Sequence, residues 1–199
     1  MLEAAELECE RGTRVLFRGL SFALQPGELL RVAGANGSGK TSLLRILSGL
    51  AAPNAGEVRW KGRPIAQLKE DYSRELVYLG HAPAVKDDLT PRENLAVSCR
   101  LAGRAASGAA LQAALAQLGV PELPVRKLSQ GQRRRAALAR LFVTDAPLWL
   151  LDEPFATLDA EGISILNGLI GKHVSHGGAL AFTTHQDAGI AATRVIELG

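Results

Sequence analysis

Hydrophobic and polar positions along the chain follow two periods, that of strands and that of helices. Short apolar and alternating runs predict strands within residues 2–24, as LEAAELEC, TRVLF and LSFAL. After the turn signal QPG at residues 25–27, an apolar strand is predicted from Glu28 to Gly34 and a helix from Lys40 to Leu50. Strands that alternate with helices predict an α/β fold with a mainly parallel sheet, and the early strands predict a small antiparallel layer beside it.

The rest of the chain continues this pattern around a helical insertion. GEVRW and LVYLG predict strands, whereas residues 91–119 are rich in Ala and Leu at helical spacing. Ser129 then occupies a helix-start position, PLWLLDEP predicts a strand that ends in carboxylates, residues 160–174 predict a helix, and ALAFTTH and RVIEL predict the last strands. We expect one domain over residues 1–199, with a core of about residues 1–88 and 146–199 and a helical subdomain of about residues 89–145.

Composition narrows the class of protein. The sequence contains no run of about 18 apolar residues, so no membrane span is predicted, and the acidic N-terminus MLEAAELECE does not resemble a secretory signal. The two cysteines lack metal-binding spacing and are expected to be buried thiols in a reducing compartment. A net charge of +3 is compatible with nucleic acid and equally with an anionic membrane surface, so charge does not decide between these partners.

A glycine-rich segment carries the strongest chemical signal. Residues 34–41, GANGSGKT, match GxxxxGK[ST], and they lie between an apolar strand and a helix, as a phosphate-binding P-loop requires. Glycines let backbone amides surround phosphate oxygens, and the helix directs its positive end at the same anion. Lys40 is expected to reach the β- and γ-phosphates of ATP, and the Thr41 hydroxyl to bind Mg²⁺. The predicted nucleotide-binding residues of this segment are Gly34, Ala35, Asn36, Gly37, Ser38, Gly39, Lys40, Thr41 and Ser42.

Two carboxylates follow the apolar run LWLL. Because successive strand residues point to opposite faces, Asp152 is predicted to face the Mg²⁺ and Glu153 the water that attacks the γ-phosphate. Phosphoryl transfer needs both a metal that neutralises charge and a positioned nucleophile. An acidic strand end alone is a weak signal, but downstream of a P-loop it indicates a hydrolytic site.

The string LSQGQ at residues 128–132 offers a hydroxyl and free amides at a helix start, which is a second anion-binding end. One chain cannot easily bring this end onto its own P-loop phosphates. Two interpretations stay open from the residues alone, an ordinary helix cap and a phosphate contact made to another subunit.

These motifs together resemble the ATPases of ABC transporters. GANGSGKT, LSQGQ, LLDEP, the segment ATLD at residues 156–159 and His185 occur in the order of that family's Walker A, signature, Walker B, D-loop and switch-histidine motifs. The resemblance implies a homodimer in the ATP-bound state, with each ATP held between one P-loop and the partner's signature. It further implies that Ser129, Gln130, Gly131 and Gln132 act in trans, that Asp159 belongs to the D-loop, and that His185 positions the attacking water. Gln130 replaces the usual glycine.

Two positions depart from the family pattern. His81 stands where the family usually has the glutamine that joins the Mg²⁺ site to the membrane subunit, and its alternative is a plain surface-loop histidine. Arg11 stands where an aromatic residue usually stacks on adenine, so stacking would pass to its guanidinium or to Phe17. The three arginines 133–135 are expected to form a solvated or dimer-facing helix surface.

The short length, GHAPAVKDDLTPRENL, LSQGQRRRAALARL and the abrupt end at RVIEL resemble the ATP-binding subunits of the bacterial cytochrome c maturation system, also called haem exporter ATP-binding proteins. This resemblance implies ATP hydrolysis for a multi-helix membrane partner, at the cytoplasmic face of the bacterial inner membrane, with haem export or release of haem from a carrier as the purpose. The alternatives are another small-substrate ABC transporter, a soluble ABC-type ATPase acting on nucleic acid or ribosomes, and a non-hydrolysing scaffold. One copy of each motif and a short helical insert disfavour the soluble class, and no direct nucleic-acid contact is expected.

Overall fold

The computed structural model describes residues 1–186 and 188–199. In chain order the strands are β1 (Leu2–Arg11), β2 (Arg14–Leu24), β3 (Leu29–Gly34), β4 (Ala55–Trp60), β5 (Arg63–Pro64), β6 (Leu76–Leu79), β7 (Leu148–Leu151), β8 (Ala179–Thr183) and β9 (Arg194–Leu198). The α-helices are α1 (Lys40–Leu47), α2 (Ile65–Leu68), α3 (Glu70–Arg74), α4 (Pro91–Leu101), α5 (Gly108–Gln117), α6 (Gln130–Leu138) and α7 (Ala160–Ser175), and 3₁₀ turns cover Val125–Lys127 and Ala139–Phe142.

The N-terminal strands form a four-stranded antiparallel sheet in the order β2-β1-β4-β5. The predicted strands TRVLF and LSFAL are one strand, β2, so the prediction of a break between them was wrong. The segment between them, Arg18-Gly19, lies where the register shifts between the pairs Cys9–Phe17 and Leu7–Leu20. An irregularity of this kind bends a strand without ending it.

The larger sheet is parallel throughout, in the order β6-β7-β8-β3-β9. Alternate residues of β7 serve two hydrophobic clusters, because Leu148 and Leu150 pack with α1 and the antiparallel sheet, whereas Trp149 and Leu151 pack with α4, α5 and α7. Burial on both faces explains why the strands are continuous apolar runs. The predicted parallel sheet with a small antiparallel layer is confirmed.

Helix boundaries follow their capping residues. Ser129 caps α6 in a capping box with Gln132, as its helix-start position predicts, and Thr90 caps α4 in the same way. The predicted helix from Lys40 to Leu50 ends at Leu47, since Gly49 has φ +75° and the chain turns there. Among residues 1–186 and 188–199, no helix has both the length and the hydropathy that crossing a membrane requires.

Candidate active site

A cavity of about 670 Å³ opens at the carboxyl edge of the parallel sheet. Ligand sites of α/β folds lie at this edge, because loops from neighbouring strands converge there. The strand order brings together the segments that follow β3, β6, β7 and β8. The cavity is lined by Arg11, Arg14, Leu16, Asn36, Gly37, Gly39, Lys40, Thr41, Ser42, His81, Asp152, Glu153 and His185.

The P-loop wraps the start of α1. Gly39 is the N-cap with φ +104°, and it supplies no side-chain cap for the first turn of amides. A Cβ at Gly39 would lie 3.1 Å from the Leu16 Cβ, so both the conformation and the close packing require glycine. The Lys40 side chain is 8% exposed, and its Nζ donates to the carbonyls of Gly34 and Ala35 at 2.8 and 2.9 Å. The loop therefore holds a buried ammonium beside uncapped helix amides, which is an anion-binding arrangement.

Asp152 is the centre of a buried hydrogen-bond network. Its side chain accepts from the hydroxyls of Thr41 at 2.8 Å and Thr183 at 2.7 Å. Thr183 also accepts the backbone amide of Glu153 at 2.9 Å, so one hydroxyl links the two carboxylate residues. A hydroxyl and a carboxylate side by side form the hard oxygen donor set that suits Mg²⁺. Sequence reasoning missed Thr183, although its place at the carboxyl end of a central strand was a usable signal.

Glu153 lies beside His185. The strand ends at Leu151, so the explanation by strand alternation was wrong: Glu153 has φ +51° and occupies a turn. This turn separates the carboxylates, because Asp152 points into the network whereas Glu153 Oε2 accepts the His185 amide at 3.3 Å. Glu153 Oε1 is buried, receives no hydrogen bond from the described residues, and lies 3.5 Å from His185 Nε2. An unpaired carboxylate oxygen inside a polar cavity can accept a proton or orient a water molecule.

The two departures from the family pattern also reach the cavity. His81 and Arg11 both line it and are exposed. Phe17 instead packs beneath the P-loop, because a Cβ at Gly39 would lie 3.2 Å from its ring, and it is 8% exposed. Of the two candidates for an adenine contact, only Arg11 faces the cavity, with Arg14 as a neighbour that sequence reasoning missed.

The signature segment is absent from the described lining of this cavity. The Ser129 hydroxyl accepts the Gln132 amide at 3.2 Å, so within one chain the serine is a helix cap. Gly131 lies against the turn that precedes α7, since a Cβ there would lie 3.0 Å from the carbonyl oxygen of Thr157. Asp159 caps α7 through the Gly162 amide at 2.9 Å and also pairs with Arg135. These bonds from Gly162 and Arg135 lower the pKa of Asp159.

The expectation that residues 133–135 form a solvated or dimer-facing helix surface is wrong for the middle residue, Arg134. Arg133 pairs with Asp87 at 2.9 Å at the surface. Arg134 is 3% exposed and donates hydrogen bonds to carbonyls around the site, so it belongs to the interior. No sequence signal separated it from its charged neighbours.

Comparison with known proteins agrees with this geometry. Residues 17–156 match the family model described as ABC transporter. The "Cytochrome c biogenesis ATP-binding export protein CcmA" of Aromatoleum aromaticum is 54% identical over 195 residues, which is 96% of this chain and 91% of that protein. The protein of the same name from Escherichia coli is 47% identical over 196 residues, covering 98% and 94% of the two chains. This chain belongs to the CcmA family of ABC ATPases. The resemblance seen in the sequence motifs is thereby confirmed.

Solved structures agree on the fold. An "ATP binding subunit of ABC transporter" superposes with a TM-score of 0.88 at 22% identity, covering 99% of this chain and 85% of that one. The dimeric cassette MJ0796 in a post-hydrolysis state, bound to ADP and Pi, superposes with a TM-score of 0.85 at 21% identity, covering 100% and 94%. The predicted ABC-type P-loop fold is confirmed.

Proposed function

We propose that this chain is the ATP-hydrolysing, energy-coupling subunit of a membrane export complex that serves c-type cytochrome biogenesis. The observation that carries the proposal is the convergence of the P-loop, the Asp152 network and the unpaired Glu153 oxygen on one cavity. Membership of the CcmA family supplies the biological context, because its relatives are named as export proteins of cytochrome c biogenesis.

ATP binding rests on the P-loop in this proposal. The phosphates lie against the amides at the start of α1, and Lys40 exchanges its two carbonyl acceptors for phosphate oxygens. Thr41 and Asp152 would hold Mg²⁺, which when bound neutralises phosphate charge. Arg11 is the proposed partner of the adenine base, through stacking of its guanidinium at the cavity rim.

Hydrolysis is assigned to the pair of Glu153 and His185. Glu153 Oε1 accepts a hydrogen bond from the attacking water and takes up its proton as the new oxygen–phosphorus bond forms, while the bond from the γ-phosphorus to the bridging oxygen breaks and ADP leaves with that oxygen. His185 stands 3.5 Å from that oxygen, on the segment after β8, where it can hold the water and the γ-phosphate in line. The backbone of His185 fixes the other carboxylate oxygen, which keeps the base aimed at the cavity.

The complete site is proposed to need two chains. The start of α6 holds the signature residues away from the described lining of the cavity, with Ser129 and Gln130 exposed and Gly131 and Gln132 partly buried. In a head-to-tail homodimer these residues and the Asp159 turn would face the partner's ATP, so each site is composite. The related cassette MJ0796 is dimeric in two solved structures, which supports this arrangement.

In this proposal the segment after β6 transmits conformational change from the ATP site to a membrane subunit. His81 lines the cavity, and the loop that follows it continues into the capped start of α4. The proposed recipient is a multi-helix membrane subunit, with this chain peripheral at the cytoplasmic face of the inner membrane. ATP hydrolysis is proposed to drive either the export of haem or its release from a carrier.

Three measurements test this function. The purified chain should hydrolyse ATP in the presence of Mg²⁺, whereas Lys40→Ala should bind MgATP more than about tenfold more weakly by calorimetry. Cells that carry only Lys40→Ala should lose c-type cytochromes, read by haem staining after electrophoresis. Unchanged affinity would exclude the phosphate site, and normal cytochrome yield would exclude the assigned pathway.

A further inference from the structure

Arg134 is 3% exposed, less than Lys40 at 8%, and all its hydrogen-bond acceptors among residues 1–186 and 188–199 are backbone carbonyls. Its Nη1 donates to the carbonyls of Gly80 at 2.9 Å and His81 at 3.2 Å. Its Nη2 donates to the carbonyls of Asp152 at 2.8 Å and Glu153 at 2.6 Å. No carboxylate among the described residues forms a salt bridge with this guanidinium. One side chain of α6 therefore joins the segment after β6 to the turn after β7.

Burying a cation whose hydrogen-bond acceptors are all neutral has a large desolvation cost in free energy. Burial lowers the pKa of Arg134, and the nearby charges of Asp152 and Glu153 only partly oppose this. An apolar side chain of the same volume would pack without that desolvation cost. The flat guanidinium, however, presents donors in fixed directions, and here each terminal nitrogen serves one pair of adjacent carbonyls. Arg134 thus fixes the relative orientation and spacing of the segment after β6 and the turn after β7, which an apolar side chain of the same volume could not do.

The bond to Glu153 has a specific consequence for its side chain. Glu153 has φ +51°, a left-handed conformation that strains a non-glycine residue and persists only where its surroundings hold it. Three backbone bonds hold it here: Arg134 and the Ala156 amide, the latter at 3.1 Å, donate to its carbonyl, and its own amide donates to the Thr183 hydroxyl at 2.9 Å. With both ends of the residue fixed, the carboxylate is directed at His185.

We propose that Arg134 is a positioning residue that ties the signature helix α6 to Glu153 and to His81 at the same time. A shift of α6 then moves the carbonyls of both residues together, so engagement of the signature by a partner subunit changes the aim of Glu153 and the position of the coupling loop. This inference rests on the proposed function, since it gives Arg134 a role in hydrolysis that acts through Glu153.

The test replaces Arg134 by lysine, which keeps the charge and the aliphatic stem but cannot reach four carbonyls with one ammonium. The matched control is Arg140→Lys, because Arg140 is another desolvated arginine just beyond α6 that lines a separate cavity with Cys99. Arg134→Lys should lower kcat for ATP by about tenfold or more, with KM and MgATP affinity within about threefold of the wild type. Arg140→Lys should keep kcat within about twofold. Hydrogen exchange should quicken in residues 79–90 and 152–158 of Arg134→Lys only.

Each other outcome has a defined meaning. A wild-type chain without ATPase activity contradicts the proposed function itself and not Arg134 in particular. A kcat within about twofold of the wild type in Arg134→Lys overturns the positioning role, and so does a loss of nucleotide affinity as large as the loss of kcat. If Arg134→Lys does not fold, Arg134→Gln, which carries no buried charge, takes its place under the same criteria. If neither variant folds, Arg134 is needed for the fold, and the proposal is overturned.

Discussion

The Thr41 hydroxyl donates a hydrogen bond to the Asp152 carboxylate at 2.8 Å, which joins the start of α1 to the end of β7. The two residues are 111 positions apart in the chain. Because β7 lies beside β8, and β8 beside β3, the contact spans the centre of the parallel sheet. The P-loop and the acidic turn are thus held together by side chains of the site itself.

Thr183 supports this contact from the neighbouring strand, and Thr183→Val should damage both stability and catalysis. Valine keeps the shape but leaves a buried Asp152 oxygen and the Glu153 amide without a partner, a cost of about 1–3 kcal/mol. We expect a lower melting temperature and a kcat reduced by about tenfold.

The matched control for this change is Thr193→Val. Thr193 also makes two hydrogen bonds, accepting the Leu29 amide at 2.9 Å and donating to its carbonyl at 3.0 Å, but it lies away from the cavity. Thr193→Val should lower the melting temperature while kcat stays within about twofold of the wild type. Equal losses of kcat in the two variants would mean that Thr183 matters only for folding.

Stability should fall as the solution becomes acidic because of His173. The ring of His173 stacks on Trp149 with centroids 3.8 Å apart, and burial lowers its pKa below the ordinary 6.5, against a smaller opposing contribution from the Ala179 carbonyl. Below that ordinary value the unfolded chain binds the proton more readily than the folded one. The stabilisation is therefore complete above about pH 6.5 and decreases as the pH falls. Urea titrations at pH 5, 6 and 7 should show that the free energy of unfolding of His173→Phe changes less with pH than that of the wild type. A dependence on pH in His173→Phe that equals that of the wild type would rule out this role.

His81 should matter for coupling more than for binding. Its side chain is exposed at the cavity, and its carbonyl is fixed by Arg134 whatever the side chain is. His81→Ala should keep MgATP affinity within about threefold but lose most of the c-type cytochrome yield in cells. His81→Gln, the common residue of the wider ABC family, should yield more than the alanine variant. Equal yields for Ala and the wild type would make His81 a bystander.

The composite site predicts rescue between different lesions. A mixed dimer of Lys40→Ala and Ser129→Arg chains keeps one site in which an intact P-loop faces an intact signature. ATPase activity should therefore recover partly above that of either variant alone. Absence of recovery in dimers that are shown to be mixed, by two different affinity tags, would contradict the head-to-tail arrangement.

Motifs were the most predictable part of this molecule. GANGSGKT determines a loop conformation through glycines such as Gly39, whose φ of +104° and close contacts leave no alternative residue, so local sequence was enough. Likewise Ser129 followed by Gln132 is a local capping pattern, and the structure confirms it. Features that depend only on residues adjacent in the sequence, such as loop conformation and helix capping, can be predicted from the sequence alone.

Residues whose roles depend on long-range contacts were missed. In the sequence Arg134 is one of three consecutive arginines and looked like a surface residue. Its partners Gly80 and His81 lie 54 and 53 positions away in the chain, so its burial could not be predicted from its neighbours. The position of Thr183 at the carboxyl end of a strand was a usable signal, but its bond to Asp152 follows only from the pairing of β7 with β8. The argument that strand alternation separates Asp152 from Glu153 was wrong, since the strand ends at Leu151 and Glu153 occupies a left-handed turn.

The most direct test of ATP hydrolysis at this cavity is the steady-state ATPase rate of Glu153→Gln. The amide keeps the shape of the side chain but cannot accept the proton of the attacking water. We expect MgATP binding to remain within about threefold, turnover to fall by at least about a hundredfold, and a stable dimer to appear in ATP on gel filtration. If the variant hydrolyses ATP at half the wild-type rate or more, Glu153 neither accepts the proton nor orients the water, and the mechanism proposed for this cavity is contradicted.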